Sequence, residues 1–207
     1  MVNDQIRARG LTDERVLKVM ECIPREEFVL PHLVDDAYRD CPLPINFGQT
    51  ISQPFTVAFM CSALKLAPHD HVLEIGTGSG YGAAVLSQLA KRVDTVERIP
   101  ELAAQADERL HRLGYDNVHV HLNDGSCGLP AEAPFDAIVV TAAAPALPQP
   151  YFDQLSDGGR IVIPIGPDRH SQSLCCFTRR GDKLDLQDFG EFSFVPLIGH
   201  HGHGDTG

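Results

Sequence analysis

A doubly wound, mostly parallel α/β sheet with helices on both faces is the fold class this 207-residue chain predicts, and three observations predict it. From residue 71 onward, short apolar runs alternate with helical patterns, the signature of βαβ units. One run, Val72-Leu73-Glu74-Ile75, ends in Gly76-Thr77-Gly78-Ser79-Gly80-Tyr81, which reads as strand, tight turn and helix start. The next run, Val93-Asp94-Thr95-Val96-Glu97, ends in an acid about 20 residues on, where such units carry a ribose-binding carboxylate.

In order, residues 2–9 and 13–22 read as two short helices separated by Gly10, the second capped by Thr12 or Asp13. From Pro24 to Asn46 the pattern is irregular, with prolines at 31, 42 and 44 blocking regular ladders. A helical pattern follows from Phe55 to Leu66, with Pro54 near its first turn, so Thr50, Ile51 and Ser52 fall on a helix-entry turn. One account has Ser52 or Thr50 simply capping that helix. After the glycine turn, an amphipathic helix to Leu89 leads to the second strand, and Pro100 to Leu113 forms a helix stopped by Gly114. Val118 to Leu122 and Phe135 to Thr141 are the third and fourth strands. A short helix (Tyr151 to Leu155), Gly158-Gly159 and a fifth strand (Arg160 to Pro164) continue the alternation. Ser173 to Thr178 and Leu184 to Phe194 close the chain as a β-hairpin.

The chemistry lies at the strand ends, which right-handed crossovers bring to one rim. The glycine spacing is Gly-x-Gly-x-Gly, and Glu74 stands two residues before it. A carboxylate there repels a pyrophosphate and suits a cationic ligand such as S-adenosylmethionine, which is therefore favoured over a nicotinamide cofactor or a plain packing turn. Glu97 would accept the ribose hydroxyls. Asp124, with Gly125 directly after the third strand, could accept the adenine amine or form an ordinary Asx turn. Ala142-Ala143-Ala144 leave open space where a transferred methyl group should emerge. No Asn/Asp-Pro-Pro-aromatic sequence follows the fourth strand, which argues against a nitrogen acceptor.

Composition narrows the partners. A formal charge of -11 with no Lys/Arg cluster disfavours nucleic acid. No apolar run has the length of a membrane span, and the N-terminus lacks a signal-peptide layout. A cytoplasmic protein with no membrane partner is expected. The six cysteines show no Cys-x-x-Cys spacing, so neither zinc nor a disulfide framework is indicated. His200, His201 and His203 would need a further ligand and a rigid frame to hold a metal, and none is assigned.

These residues closely resemble the protein-L-isoaspartate O-methyltransferases, a class I methyltransferase family, from Met1 to about Gly199. The resemblance is carried by Pro24-Arg25 with Phe28, Leu43-Pro44-Ile45, Gln49-Thr50-Ile51-Ser52-Gln53-Pro54, Val72 to Tyr81, Val96-Glu97-Arg98-Ile99, Gly158-Gly159-Arg160 and Phe194-Val195-Pro196-Leu197. The glycine turn is shared by many methyltransferases; the Gln-Thr-Ile-Ser-Gln-Pro hexapeptide and the Phe-Val-Pro-Leu segment are far more specific. The resemblance implies methyl transfer from S-adenosylmethionine, leaving S-adenosylhomocysteine, to the free carboxylate of isoaspartyl residues in damaged proteins, whose ester then collapses to a succinimide and so starts repair. It implies Ser52 as the active-site hydroxyl. Thr50, Ile51, Glu74, Gly76, Thr77, Gly78, Ser79, Glu97, Arg98, Asp124, Gly125 and Thr141 would surround the cofactor. Ser52, Ala142, Val195, Pro196 and Leu197 would hold the substrate peptide extended. Asn46-Phe47 departs from the family's commoner Gly-Tyr pair, and Asn123 from a frequent Gly.

The implied organisation is one methyltransferase domain over 1–199, with 1–66 as a helical and substrate-loop segment and 67–199 as the cofactor-binding core. A flexible His-rich tail over 200–207 follows, and a monomer is expected. An isoaspartyl carboxylate is already ionised at neutral pH, so no general base is required. Rival readings are a carboxyl methyltransferase acting on Asp of a biosynthetic peptide or on a small molecule, and a non-catalytic cofactor-binding protein.

Overall fold

The computed structural model describes residues 1–167 and 171–204. The N-terminus is a π-turn, Val2–Ile6, and a 3-10 turn, Arg7–Arg9, ended by Gly10 at φ 92°. Helix α1 (Glu14–Cys22) starts at Asp13, whose carboxylate accepts from the main-chain N–H of Arg15 and Val16, donors that a first helical turn cannot satisfy internally.

The irregular stretch holds more order than its sequence suggests. Two 3-10 turns, Arg25–Phe28 and Pro31–Asp36, precede an antiparallel ribbon of β1 (Leu43–Pro44) and β2 (Thr50–Ile51). Phe47 and Gly48 both have positive φ, 60° and 68°, and Gln49 N–H donates to the Asn46 carbonyl, the geometry of a type I′ turn. Thr50 and Ile51 therefore lie on a strand, not on the helix-entry turn expected for them. The pairing with Leu43–Pro44 is what holds them there.

Helix α2 (Pro54–Leu64) has Pro54 in its first turn and ends where Lys65 turns left-handed. Phe55, Ala58, Met60, Cys61 and Leu64 are buried around most of its circumference, because it is packed between α1, the N-terminal turns and the sheet. Helix α3 (Tyr81–Ser87) stops two residues short of Leu89 and is buried on nearly every side rather than amphipathic. Phe28 stacks edge-on against Tyr81, with ring centroids 5.5 Å apart, so the N-terminal segment covers the face that would otherwise meet water.

Seven strands form the main sheet in the order β5 (Val118–Leu122), β4 (Arg92–Glu97), β3 (His71–Ile75), β6 (Phe135–Val140), β7 (Leu155–Ile165), β8 (Ser173–Arg180), β9 (Lys183–Glu191). β3 to β7 are parallel, and β8 and β9 close the sheet as an antiparallel hairpin. The fifth parallel strand starts earlier than expected: Gly158 and Gly159 lie inside β7, where the register with β6 shifts. β3 sits between β4 and β6, so the chain reverses its winding direction beside β3. A crevice opens at such a switch point, beyond the carboxyl ends of the strands.

One face of the sheet buries Val72, Val93, Val139 and Val162 under α1, α2, α3 and helix α4 (Pro100–Arg112). The other buries Leu73, Ile75, Ile138 and Ile161 under helix α5 (Gln149–Asp153), the 3-10 turn Gly125–Cys127 and Leu129. Central strands covered on both faces read as continuous apolar runs for this reason. Cover on the second face is thin over β4 and β5, and a polar network fills the gap. The Asp94 carboxylate, fully buried, accepts from His71 Nε2 at 2.6 Å, His121 Nε2 at 2.7 Å and Arg92 at 2.8 and 2.9 Å. Burial alone would raise the Asp94 pKa; the bonds from His71, Arg92 and His121 outweigh it and hold the carboxyl well below the usual range.

Candidate active site

The turn after β3 is built by its glycines. Gly76, Gly78 and Gly80 have φ of 97°, 53° and 88°, values that L side chains rarely adopt. A Cβ on Gly76 would also collide with the Thr141 hydroxyl, which donates to the carbonyls of Ile75 and Gly76. Thr141 thus locks the end of β6 onto the turn.

Two acids face the turn from β3 and β4. The Glu97 carboxylate accepts from Gly78 N–H at 2.9 Å through one oxygen, and from the N–H groups of Arg98 and Ile99 through the other. Each oxygen has two lone pairs, so the one on Gly78 keeps capacity for a ligand hydroxyl. Glu74 is buried, with 1% of its surface exposed. Thr95 Oγ1 donates to it at 2.6 Å, and Thr77 Oγ1 lies 2.7 Å from Thr95 Oγ1. Its other oxygen fills the space left by the missing side chain of Gly82. Burial, reinforced by the charge on Glu97 and opposed by the Thr95 bond, pushes the Glu74 pKa up to about 8. Neither acid has a basic partner within 4 Å among the described residues. A cation placed between them would supply what the protein withholds.

Ser52 faces the same space from the opposite wall. It does not cap α2: the cap position belongs to Gln53, and Asp40 Oδ1 accepts from Phe55 N–H at 2.9 Å from fifteen residues upstream. The Ser52 hydroxyl makes no hydrogen bond among the described residues. Its main-chain carbonyl instead accepts from Arg25 at 2.8 Å. That guanidinium is fully buried, donates also to the Ala37 carbonyl and lies 4.6 Å over the Tyr81 ring. One buried cation therefore fixes the main chain on which Ser52 stands.

Glycine turn, acids and serine line one cleft of about 290 Å³. From β2 and its exit come Thr50, Ile51 and Ser52, and from the turn Glu74, Gly76, Thr77, Gly78 and Ser79. β4 and the segment after β5 contribute Glu97, Arg98 and Gly125, and the end of β6 contributes Thr141 and Ala142. Val195, Pro196 and Leu197 form the far wall. Every residue singled out from the sequence is in this wall except Asp124.

Asp124 makes the Asx turn that its position after the strand also allows. One oxygen accepts from the N–H and hydroxyl of Ser126, and the other from His200 N–H at 2.8 Å. It borders a shallow adjoining slot with Arg98, Pro100, Leu122, Asn123, Ile198 and Gly199. The segment after Leu197 is correspondingly tied down: His201 N–H donates to Ser126 Oγ, and His203 N–H to the Leu197 carbonyl. This differs from the free end expected from residue 200 onward; residues 205–207 lie outside the described residues.

The family model described as protein-L-isoaspartate(D-aspartate) O-methyltransferase matches residues 1–202. The chain belongs to this family. It is 54% identical over 202 residues to a protein-L-isoaspartate O-methyltransferase of Methanoculleus marisnigri, covering 98% of this chain and 91% of the relative. To protein-L-isoaspartate O-methyltransferase 2 of Marinobacter nauticus it is 52% identical over 203 residues, covering 98% and 93%. A solved protein-L-isoaspartate O-methyltransferase superposes with a TM-score of 0.83 at 31% identity, covering 94% of this chain and 64% of that one. A putative protein-L-isoaspartate O-methyltransferase from Plasmodium falciparum, solved with S-adenosylhomocysteine, gives a TM-score of 0.81 at 25% identity over 95% and 96% of the two chains.

Within this isoaspartyl methyltransferase, sequence reasoning missed Thr95, Arg25 and the cleft residues Thr56, Val57 and Ser193. Thr95 had a signal, since period-2 alternation puts it on the face of β4 shared by Glu97. Thr56 and Val57 follow Ser52 by about one helical turn. Arg25 stands in the Pro24-Arg25 pair that carries the resemblance, but nothing local gives its role: its partners Ala37 and Ser52 are 12 and 27 residues away.

Proposed function

We propose that S-adenosylmethionine lies along the Gly76–Gly80 turn, with an L-isoaspartyl segment of a damaged protein between Ser52 and the Val195–Leu197 wall. The chain transfers a methyl group from this cofactor to the free α-carboxylate of the isoaspartyl residue, and the ester formed closes to a succinimide. The observation that carries the assignment of parts is the single cleft that holds both the glycine turn with its two acids and the unbonded Ser52 hydroxyl.

The residues present fit the cofactor: a turn with no Cβ at positions 76, 78 and 80, a carboxylate with spare lone pairs at Glu97, and a buried acid with no cation beside it at Glu74. When bound, S-adenosylmethionine supplies a methyl group made electrophilic by its sulfonium. Glu97, preset by Gly78 and Ile99, holds the ribose end, and the ionised form of Glu74 stabilises positive charge in the cleft. Ser52 donates one hydrogen bond that orients the acceptor carboxylate, and Arg25 fixes the serine's main chain. The small side chain of Ala142 leaves the line of approach open. Holding the reacting groups in line and excluding water is worth up to roughly 7–11 kcal/mol, and because the acceptor carboxylate is already ionised at neutral pH the transfer itself needs no general base.

Ser52→Ala is expected to keep S-adenosylhomocysteine affinity and to lower kcat about 10–100-fold, the loss of one positioning hydrogen bond in a water-excluded site. The assay pairs an isoaspartyl peptide with its Asp counterpart. Unchanged turnover would remove Ser52 from this role, and methylation of the Asp peptide alone would replace isoaspartate as the acceptor. We further propose a cytoplasmic monomer without a nucleic-acid partner. The net charge of -11 and the free cysteines among the described residues support this, and no described helix is long and apolar enough to cross a membrane.

A further inference from the structure

The segment Phe192–Leu197 leaves β9 as an extended strap that walls the cleft, and two anchors hold it. Near its end Ala143 pairs with it in parallel: Ala143 N–H donates to the Val195 carbonyl and Leu197 N–H to the Ala143 carbonyl, both at 2.8 Å. Near its start stands Gln172, just ahead of β8 and only 3% exposed. The Gln172 carbonyl accepts from Phe192 N–H at 3.0 Å. Its side-chain Oε1 accepts from Phe194 N–H at 2.7 Å, and Nε2 donates to the Phe194 carbonyl at 3.2 Å. One amide thus makes the pair of bonds that a residue of a neighbouring strand would make.

In an extended chain, successive residues turn their main-chain groups to opposite sides. Phe192 and Phe194 direct theirs to Gln172, so Ser193 and Val195 direct theirs the other way. Val195 gives its carbonyl to Ala143; the Val195 N–H and both main-chain groups of Ser193 have no partner among the described residues. Ser193 and Val195 line the cleft opposite Thr141 and Ala142. The strap and the end of β6 are joined at Ala143 and Pro196, and the open space between them starts one or two residues earlier. An extended peptide entering there meets unused main-chain donors and an acceptor.

We propose that Gln172 is a positioning residue for the acceptor: its amide holds Phe194 extended so that Ser193 and Val195 present their main-chain groups to the backbone of the isoaspartyl segment. This rests on the methyltransferase reading of the cleft. Gln172 does not itself line the cleft and its side-chain bonds go to Phe194, so its effect falls on peptide binding and not on the cofactor.

The test is Gln172→Met, which keeps length and removes both side-chain bonds, in the full chain beside wild type. KM for an isoaspartyl hexapeptide is expected to rise about tenfold, the scale of two neutral hydrogen bonds. Turnover at saturation and the Kd of S-adenosylhomocysteine by calorimetry should stay within about twofold of wild type. Gln172→Leu also removes both side-chain bonds without burying a charge, so a KM rise of about tenfold is expected for it too; it carries the test if the methionine variant does not fold. Unshifted KM in both variants overturns the role of Gln172 while leaving the enzyme assignment intact, as does a rise of KM and Kd together. Loss of folding in both marks a purely structural residue and overturns it as well. A wild-type chain that fails to methylate the isoaspartyl peptide overturns the functional reading and this proposal with it.

Discussion

Glu74→Gln should make the ligand-free protein more stable while weakening its grip on the cationic cofactor. Burial, with the Glu97 charge acting in the same direction, moves the Glu74 pKa from its ordinary 4.5 to about 8. Below the ordinary value both folded and unfolded chains carry the proton, and the group costs nothing. As pH rises from there, the unfolded chain releases its proton first, so folding loses stability steadily until the folded group also ionises near 8. At 1.36 kcal/mol per pH unit, the interval between the two values amounts to at most about 5 kcal/mol. Glutamine has the shape of the protonated acid and still accepts from Thr95 Oγ1, but it never ionises. Urea denaturation at several pH values from 5 to 8.5, without cofactor, should therefore show the two proteins nearly equal at the acid end. The variant should be ahead by several kcal/mol at the alkaline end. Calorimetry at pH 7.5 should show S-adenosylmethionine affinity falling more than that of uncharged S-adenosylhomocysteine. Stability curves that run parallel across this range would refute the reasoning, because they would mean that Glu74 titrates alike in the folded and unfolded chains.

Arg25→Lys keeps the charge but cannot bridge the Ala37 and Ser52 carbonyls as a fork; a stability loss of about 2–3 kcal/mol and a kcat reduced about tenfold are expected, with S-adenosylhomocysteine affinity unchanged, and an unaltered kcat counts against the link to Ser52. Asp94→Asn removes the charge shared by His71, Arg92 and His121 and sets an amide NH2 against the donors that one carboxylate oxygen now serves. Because the folded carboxyl titrates below its ordinary range, its contribution is present at neutral pH and fades as pH falls through that range. The variant should trail wild type by roughly 3 kcal/mol at pH 7, keep nearly all of that gap down to about pH 4 and lose it only in more acid solution, and a gap independent of pH down to about pH 1.5 would exclude this account.

Much of this protein is written in local pattern. Alternating apolar runs and helical stretches specify the parallel core, because side-chain period alone decides whether a segment buries one face or two. The glycine turn, Glu74 and Glu97 are legible since backbone conformation and a strand-end position follow from residues a few places apart. Even the cleft wall from Thr50 to Ser52 and from Val195 to Leu197 is visible, through motifs specific to one family. Where neighbours in space are distant in sequence, the reading fails. Nothing near Ser52 says that Asp40, not Ser52, caps α2, or that Thr50 pairs with Pro44 across a turn. For Asp124 the sequence leaves a ligand contact and an Asx turn open, and only the structure shows the turn onto Ser126 and the bond from His200 N–H.

The sequence by itself thus determined the fold class, the rim that holds the site and the types of residue that line it, because each depends on short-range periodicity and backbone preference. Tertiary structure alone decided which groups support them. Arg25 on the Ser52 carbonyl, Gln172 on Phe194 and Asp124 on His200 are bonds across 22 to 76 residues, and it is burial in the folded chain that pushes the Glu74 pKa up. Burial and directional bonding exist only once the chain has closed on itself, so no local pattern can announce them.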